Sequence, residues 1–350
     1  MEGIDKELDE ILDKLSFSRL VDRLHAATTR DLAMDKWVKV QADVKPWQDK
    51  LREKVVELLG IDDILASRGR PEVDLQEASD VKTMPGIKLE YMYIKSWLGS
   101  WIPAYVLKPE KPARTRLPAF VCLHGHGENK DSQAGLWYKD ATATRAGIDL
   151  ARMGYITISV DHWGWNERGY AGNRYDGNEA KYNLNLLLYG RTINGLRVQD
   201  AIRCVDYLLA RDDVDPAKIG CIGLSLGGTL TMYTSAIDER IGLAVVEGYA
   251  NTFKDSIVDI SHCSCNYIPG MLKHAEMPDI LGLVAPRPMF WVTGANDEIF
   301  PLDAFKKAKA QVESLYKILG VPGNFATHVH PRGHEYLGKQ ELDFIKQRFG

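Results

Sequence analysis

The chain has 350 residues, 45% of them hydrophobic and 26% charged, with a formal net charge of -4 at pH 7. This balance describes a globular chain able to bury a large core and excludes a disordered one. The slight acidity and the absence of a lysine and arginine block give no field for nucleic acid, and no apolar run reaches the roughly 18 to 20 residues that cross a bilayer, so neither nucleic acid nor membrane is expected as a partner.

The first residues, MEGIDKELDEILDK, are acidic and amphipathic. They lack the basic start, apolar centre and small-residue cleavage site of a secretory leader, so a cytoplasmic protein is expected. Residues 1–85 place apolar and charged positions at helical spacing, as in DKLREKVVELLG, and predict a helical N-terminal region with almost no strand signal. The pattern changes at residue 86 and predicts a second domain over 86–350. IKLEYMYIKS and SWIPAYVLKP alternate as half-buried strands joined by a turn near Gly99. Strands and helices then take turns: LPAFVCLHG, a helix near 140–152, GYITISVD, a helix in LRVQDAIRCVDYLLARDD, AKIGCIG, a helix from Leu226, IGLAVVEG, PMFWVTG, a helix from about Asp303, FATHVH and a last helix from about Glu335. Near-continuously apolar strands separated by helices make a mostly parallel sheet covered on both faces, an α/β fold.

One connection is too long. About thirty residues, an insertion over about 162–195, separate the strand ending at Asp161 from the helix near Leu196, against a usual two to six. Its tryptophans and tyrosines argue against disorder and for a lid or pocket wall. Five cysteines, an odd number, read as reduced thiols. Cys122, Cys204 and Cys221 lie in apolar runs as small buried hydrophobes. Cys263 and Cys265, in HCSCNYIPG, lack further ligands at zinc spacing, so no metal is expected there.

The stretch CIGLSLGG carries G-x-S-x-G, with Ser225 between Gly223 and Gly227, after a buried strand and before a helix. A serine pushed out on so tight a turn needs small neighbours for the chain to pass, and the context is the one a nucleophile elbow requires. A serine hydroxyl needs a base, and the base an acid, and both follow in order. Asp297, in ANDEIFP, stands just past PMFWVTG, and His334, in PRGHEY, just past FATHVH. Glu247, ending the preceding strand, is the competing acid. His328 and His330 lie within a strand and are expected to be structural. For the oxyanion hole, the backbone N–H of Leu226 follows the nucleophile and that of His126, in HGHGEN, is the second donor, while His124 supports the loop from within. Reading the pairs His124/His126 and His328/His330 as metal ligands lacks carboxylates at set spacing, so neither metal nor cofactor is expected.

The series LHGHGENK, GYITISVDHWGWNERG, VDPAKIGCIGLSLGG, CSCNYIPG, APRPMFWVTGANDEIFP and HPRGHEY resembles α/β-hydrolases of the dienelactone-hydrolase and acetyl-xylan-esterase-like kind, over roughly residues 85–350. The resemblance implies the α/β-hydrolase fold, a mostly parallel sheet covered by helices, with Ser225 as nucleophile, Asp297 as acid, His334 as base and the amides of His126 and Leu226 as oxyanion donors. True dienelactone hydrolases carry a cysteine nucleophile, and this chain carries Ser225, so lactone hydrolysis of that type is not implied. The expected function is hydrolysis of a small-molecule carboxylic ester, short-chain acyl or an acetylated carbohydrate, through an acyl-enzyme. An amidase or peptidase using the same triad is the nearest alternative, and a non-catalytic scaffold another. Trp163, Trp165, Arg168 and Tyr182 of the insertion are the expected substrate contacts, with Tyr170, Tyr175, Asn166 and Arg191 as further candidates. The sequence leaves oligomeric state and natural substrate open.

Overall fold

A computed structural model describes residues 11, 13–76, 84–137, 143–169 and 178–350. Among them nine strands form one sheet in the order β1-β2-β3-β5-β4-β6-β7-β8-β9. β1 (Val73–Gln76), β2 (Ile87–Lys95) and β3 (Trp101–Pro109) run antiparallel, and β3 pairs antiparallel with β5 (Ile156–Val160). From β5 the sheet is parallel through β4 (Leu117–Leu123), β6 (Val214–Leu224), β7 (Leu243–Glu247), β8 (Met289–Gly294) and β9 (Phe325–His330). All residues of β4, β5, β7 and β8 are buried, which is why these strands read as unbroken apolar runs.

Alternation along each strand divides the core in two. Ala119, Val121 and Leu123 of β4 face one side, and Phe120 and Cys122 the other. The first side is covered by α3 (Gln41–Leu59), α8 (Ile193–Leu209), α9 (Leu226–Ile237), α10 (Met277–Gly282) and α11 (Leu302–Ile318); the second by α6 (Ala146–Arg152) and α12 (Lys339–Phe349). Short helices α1 (Phe17–Ala27), α2 (Met34–Trp37), α4 (Asp62–Ser67) and α5 (Lys130–Gln133), with α7 (Glu179–Leu187), complete the set. No helix among the described residues is long and apolar enough to cross a membrane.

The N-terminal helices belong to the main core. α3 buries Val44, Trp47, Leu51, Val55 and Leu59, spaced three or four apart, in the same cluster as the central strands. Burying each such side chain contributes roughly 1.5–3 kcal/mol before the entropy of ordering it. The Trp47 indole donates to the Leu32 carbonyl at 2.8 Å, and the Gln48 amide to Gly282 and Ala285 at 3.0 and 2.7 Å. The helical reading of residues 1–85 is corrected at its end: the helices stop at Ser67, and Val73–Gln76 is an edge strand paired with Tyr91–Ile94. Its four residues face no core, so backbone pairing to the open side of β2 makes it a strand, without the length that would reveal a period. Inside the insertion, Asn166–Arg168 form one 3₁₀ turn, α7 follows at Glu179, and α8 begins at Ile193, capped by the Thr192 hydroxyl that accepts from Gly195 N–H at 2.9 Å.

Candidate active site

The order of the strands reverses beside β4, so the loops after β4 and β6 open side by side, at the edge where sheets of this kind hold their ligands. Ser225 follows the last residue of β6 and caps α9 with φ 60° and ψ -118°, a positive φ that costs a residue with a Cβ of order 1–3 kcal/mol. The backbone holds it there: Ser225 N–H donates to the Glu247 carbonyl at 3.0 Å, and its carbonyl accepts from Thr229 N–H at 2.9 Å. The flanking glycines are required by contact. A Cβ on Gly223 would lie 2.6 Å from the Gly227 carbonyl, and one on Gly227 2.0 Å from the Leu123 carbonyl oxygen. Leu226 is the first residue of α9, so its N–H has no acceptor within the helix and points with the positive end of the helix dipole.

Asp297 and His334 meet. The carboxylate accepts from Ile299 and Phe300 N–H through Oδ1, both at 3.1 Å, and its Oδ2 lies 2.7 Å from His334 Nδ1. The Asp297 side chain is fully buried, and the Phe300 ring stacks on the imidazole at 5.6 Å. These contacts fix Nδ1–H as the donor and leave Nε2 for another proton. Nε2 is buried and has no hydrogen-bond partner, so the Ser225 hydroxyl does not donate to it in this conformation. The ring rests on Gly248, where an added Cβ would be 2.9 Å from His334 Cε1 and 2.8 Å from Leu224 Cδ1, one residue from the carbonyl that holds Ser225. Such bonds are often long in unliganded sites and close when substrate binds.

The competing acid is elsewhere. Glu247 lends the elbow its carbonyl, but its carboxyl is buried toward Glu341 of α12, and neither carboxylate has a hydrogen-bond partner. Burial, then the negative Glu341 and Glu128, pushes the Glu247 carboxyl well above the usual range.

His126 sits in a turn in which Glu128 N–H donates to the Gly125 carbonyl at 3.3 Å, with Gly127 at φ 78°. The Glu128 carboxylate ties the loop by accepting from Gly125 N–H at 3.1 Å and Thr144 N–H at 2.9 Å. An added Cβ on Gly125 would be 3.6 Å from Ser225 Cβ, so this loop and the elbow are in contact. His124 braces it from below: its Nδ1–H donates to the Gly125 carbonyl at 2.8 Å and its Nε2 accepts from His162 N–H at 3.2 Å. Burial pushes the His124 imidazole down to about 3, in keeping with a neutral ring bonded at both nitrogens. His328 and His330 lie in β9 with rings 6.4 Å apart.

Two residues around His126, Glu179 and Arg197, escaped the sequence reading. Its Nε2 lies 3.1 Å from Glu179 Oε2 and 3.6 Å from Cys265 Sγ, and Arg197, wholly buried, donates to the same Glu179 oxygen at 2.7 Å. Burial opposes the charge on Glu179, yet Arg197 and His126 hold its carboxyl well below the usual range. The available signal was a set of charges at every third position, Arg197, Asp200, Arg203 and Asp206, on a helix that is buried along most of its length. His126, Glu179 and Cys263 also offer donor atoms that all lie within 4.8 Å of one another, the one such group among the described residues that could hold a metal ion.

The expected substrate contacts divide. Trp165 meets the His126 ring edge-on at 5.8 Å. Trp163, Arg168 and Tyr182 line a cavity of about 460 Å³ with Trp97, Leu98 and Leu186, and neither Ser225 nor His334 is on its wall. There the Arg168 guanidinium stacks 3.6 Å from the Trp163 ring centre and pairs with buried Asp200. Asn166 donates to Asp161 at 3.0 Å, Arg191 pairs with Asp63 at 2.7 Å, and Tyr170 and Tyr175 lie outside the described residues.

A family model described as the Abhydrolase family matches residues 29–343. The chain belongs to the Abhydrolase family. The match begins within the N-terminal helices, as their shared core requires. YtaP of Bacillus subtilis, described as a hydrolase, is 29% identical over 241 residues, covering 66% of this chain and 77% of that one. A solved structure from Bacteroides fragilis, described as an acetyl xylan esterase, superposes with a TM-score of 0.74 at 19% identity, over 95% of this chain and 89% of the other. A glucuronoyl esterase from Solibacter usitatus does so with a TM-score of 0.65 at 16% identity, over 90% and 97%. At such identities these structures share the α/β-hydrolase fold with the chain.

Proposed function

We propose that this member of the Abhydrolase family is a serine esterase, cleaving a carboxylic ester on a carbohydrate or a similar polar alcohol. The observation that carries the reading is the Asp297–His334 pair, whose buried Nε2 is left without a hydrogen-bond partner and whose ring rests on Gly248, next in chain to the carbonyl that holds the strained Ser225. In this mechanism Ser225 Oγ attacks the ester carbonyl as His334 Nε2 takes its proton, and Asp297 stabilises the imidazolium. The amides of Leu226 and His126 receive the oxyanion, each worth about 3–4 kcal/mol of barrier by analogy with single-donor deletions. His334 then gives the proton to the leaving alcohol, and water, activated by the same ring, releases the acid. The carbohydrate part of the reading draws on similarity to the acetyl xylan and glucuronoyl esterases and on Trp165 of the insertion, whose ring meets that of His126.

Ser225→Ala tests it. Turnover of an aryl acetate should fall by about 10⁶-fold with an unchanged circular dichroism spectrum, and a fluorophosphonate should label the wild-type peptide bearing Ser225 and no peptide of the variant. Retained turnover, or labelling elsewhere, refutes the assignment. Acetylated xylo-oligosaccharides set beside glucuronate esters and aryl amides then sort the substrate class.

A further inference from the structure

Beside the oxyanion loop, three segments far apart in sequence bring a nitrogen, a carboxylate and a thiol together, with a second thiol in reach of the nitrogen. His126 comes from the loop after β4, Glu179 from the first turn of α7, and Cys263 and Cys265 from the loop beyond β7. Donor atoms of the first three lie within 4.8 Å of one another, and Cys265 Sγ is 3.6 Å from the shared nitrogen. Tetrahedral zinc, with bonds of about 2.0–2.3 Å, spaces its ligands less than about 4 Å apart, so small side-chain rotations suffice. We propose that His126 Nε2, a Glu179 oxygen, Cys263 Sγ and Cys265 Sγ form a binding site for one borderline-soft divalent cation of the Zn²⁺ class.

The donor set selects that class, because thiolate and imidazole disfavour Mg²⁺ and Ca²⁺, which take oxygen. Charge fits as well. Two thiolates and a carboxylate around a divalent ion leave one surplus negative charge, and the Arg197 guanidinium, with no exposed side-chain surface, meets it 2.7 Å from Glu179 Oε2. That arginine also donates to the Trp163 carbonyl and to Asn194, so it stands as an orienting partner behind a ligand carboxylate. On binding, each cysteine loses its thiol proton to solvent, and the imidazole binds through a deprotonated Nε2. Cys263 is exposed and gives the ion a way in. The consequence of occupancy is mechanical. The ion would tie α7, and with it the insertion, to the loop that carries the His126 amide and to the facing wall at 263–265.

The test uses the full chain, stripped of metal and titrated with Co²⁺. The expected result is an intense thiolate-to-cobalt charge-transfer band that saturates at one ion per chain, keeps the visible signature of a tetrahedral site, and is lost when one equivalent of Zn²⁺ is added. The Cys263→Ser/Cys265→Ser double variant, with an unchanged far-ultraviolet spectrum, should lose the band and bind Zn²⁺ roughly 100-fold more weakly or worse, since removing an outer partner alone costs 10–100-fold. Absence of the band in the wild-type protein overturns the proposal, as does its persistence in the double variant, which would assign it to Cys122, Cys204 or Cys221.

Discussion

Gly227→Ala reads the elbow directly. Its Cβ would stand 2.0 Å from the Leu123 carbonyl oxygen and 2.8 Å from the carbonyl carbon. Ordinary contact begins at 3.4 Å, so the two backbones must part by 3.4 − 2.0 = 1.4 Å. Leu123 is held in the ladder opposite Gly223, which leaves the first turn of α9 to withdraw and to take Ser225 and the Leu226 amide with it. Misplacing a reacting group by about 1 Å costs on the order of 10²-fold in rate, or about 2.7 kcal/mol of barrier. Overpacking of this kind costs about 1–3 kcal/mol of stability. Aryl acetate turnover, normalised to the folded fraction, should therefore fall about 100-fold with little change in KM, and urea unfolding should show the matching loss. Gly323→Ala is the control, because its Cβ meets nothing within 4 Å and its φ is ordinary. Wild-type kcat in Gly227→Ala, or an equal loss in Gly323→Ala, refutes the reasoning.

Asp297→Asn should keep the fold and lower kcat by about 10⁴-fold, since an amide cannot hold the Nδ1–H tautomer; stopped-flow turnover measures it, and a loss under tenfold would return the role to another acid. Lys130→Met removes the only cation within reach of buried Asp161 and half-buried Glu167 among the described residues and should cost about 3–5 kcal/mol in urea unfolding. Glu247→Gln should leave turnover unchanged and alter stability with pH. The folded carboxyl is raised above its ordinary 4.5, so the wild-type stability is whole below about pH 4.5 and lost as pH rises toward the folded value. The variant should therefore gain stability on the wild type near pH 8 and none near pH 4, as read by urea unfolding; equal effects at both would refute the buried carboxyl reading.

The middle of the sheet was legible because β4, β5, β7 and β8 are buried along their whole length and so read as apolar runs, whereas β1, with no core face, left no period. The placement of Ser225, Asp297 and His334 was legible for a related reason: each lies within four residues of the end of a parallel strand, and an open α/β sheet places those ends along one edge. What was hidden lies across connections that no local period registers. Arg197 and Glu179 meet only because α7 folds back over the first turns of α8, and the thiols reach His126 from the far side of β7. The insertion aromatics were legible as aromatics but not by position, since Trp165 faces His126 while Trp163 and Tyr182 turn to a separate cavity.

The strain at Ser225 persists because four contacts oppose its release. Relaxing φ to negative values would withdraw the amide from the Glu247 carbonyl and the carbonyl from Thr229, two hydrogen bonds worth about 1 kcal/mol each and more if left unpaired in the core. It would also swing Gly223 and Gly227, already in backbone contact with each other and with Leu123, into overlap. The opposing contacts are thus of the same order as the roughly 1–3 kcal/mol of backbone cost at one residue, and the overlap adds to them. Each of them is made by backbone atoms of β4, β6, β7 and α9, so the hydroxyl is raised above the sheet edge by the packing of four elements. The position is therefore insensitive to the Glu247 side chain, which faces the opposite helix layer, and sensitive to a single methyl group at Gly227.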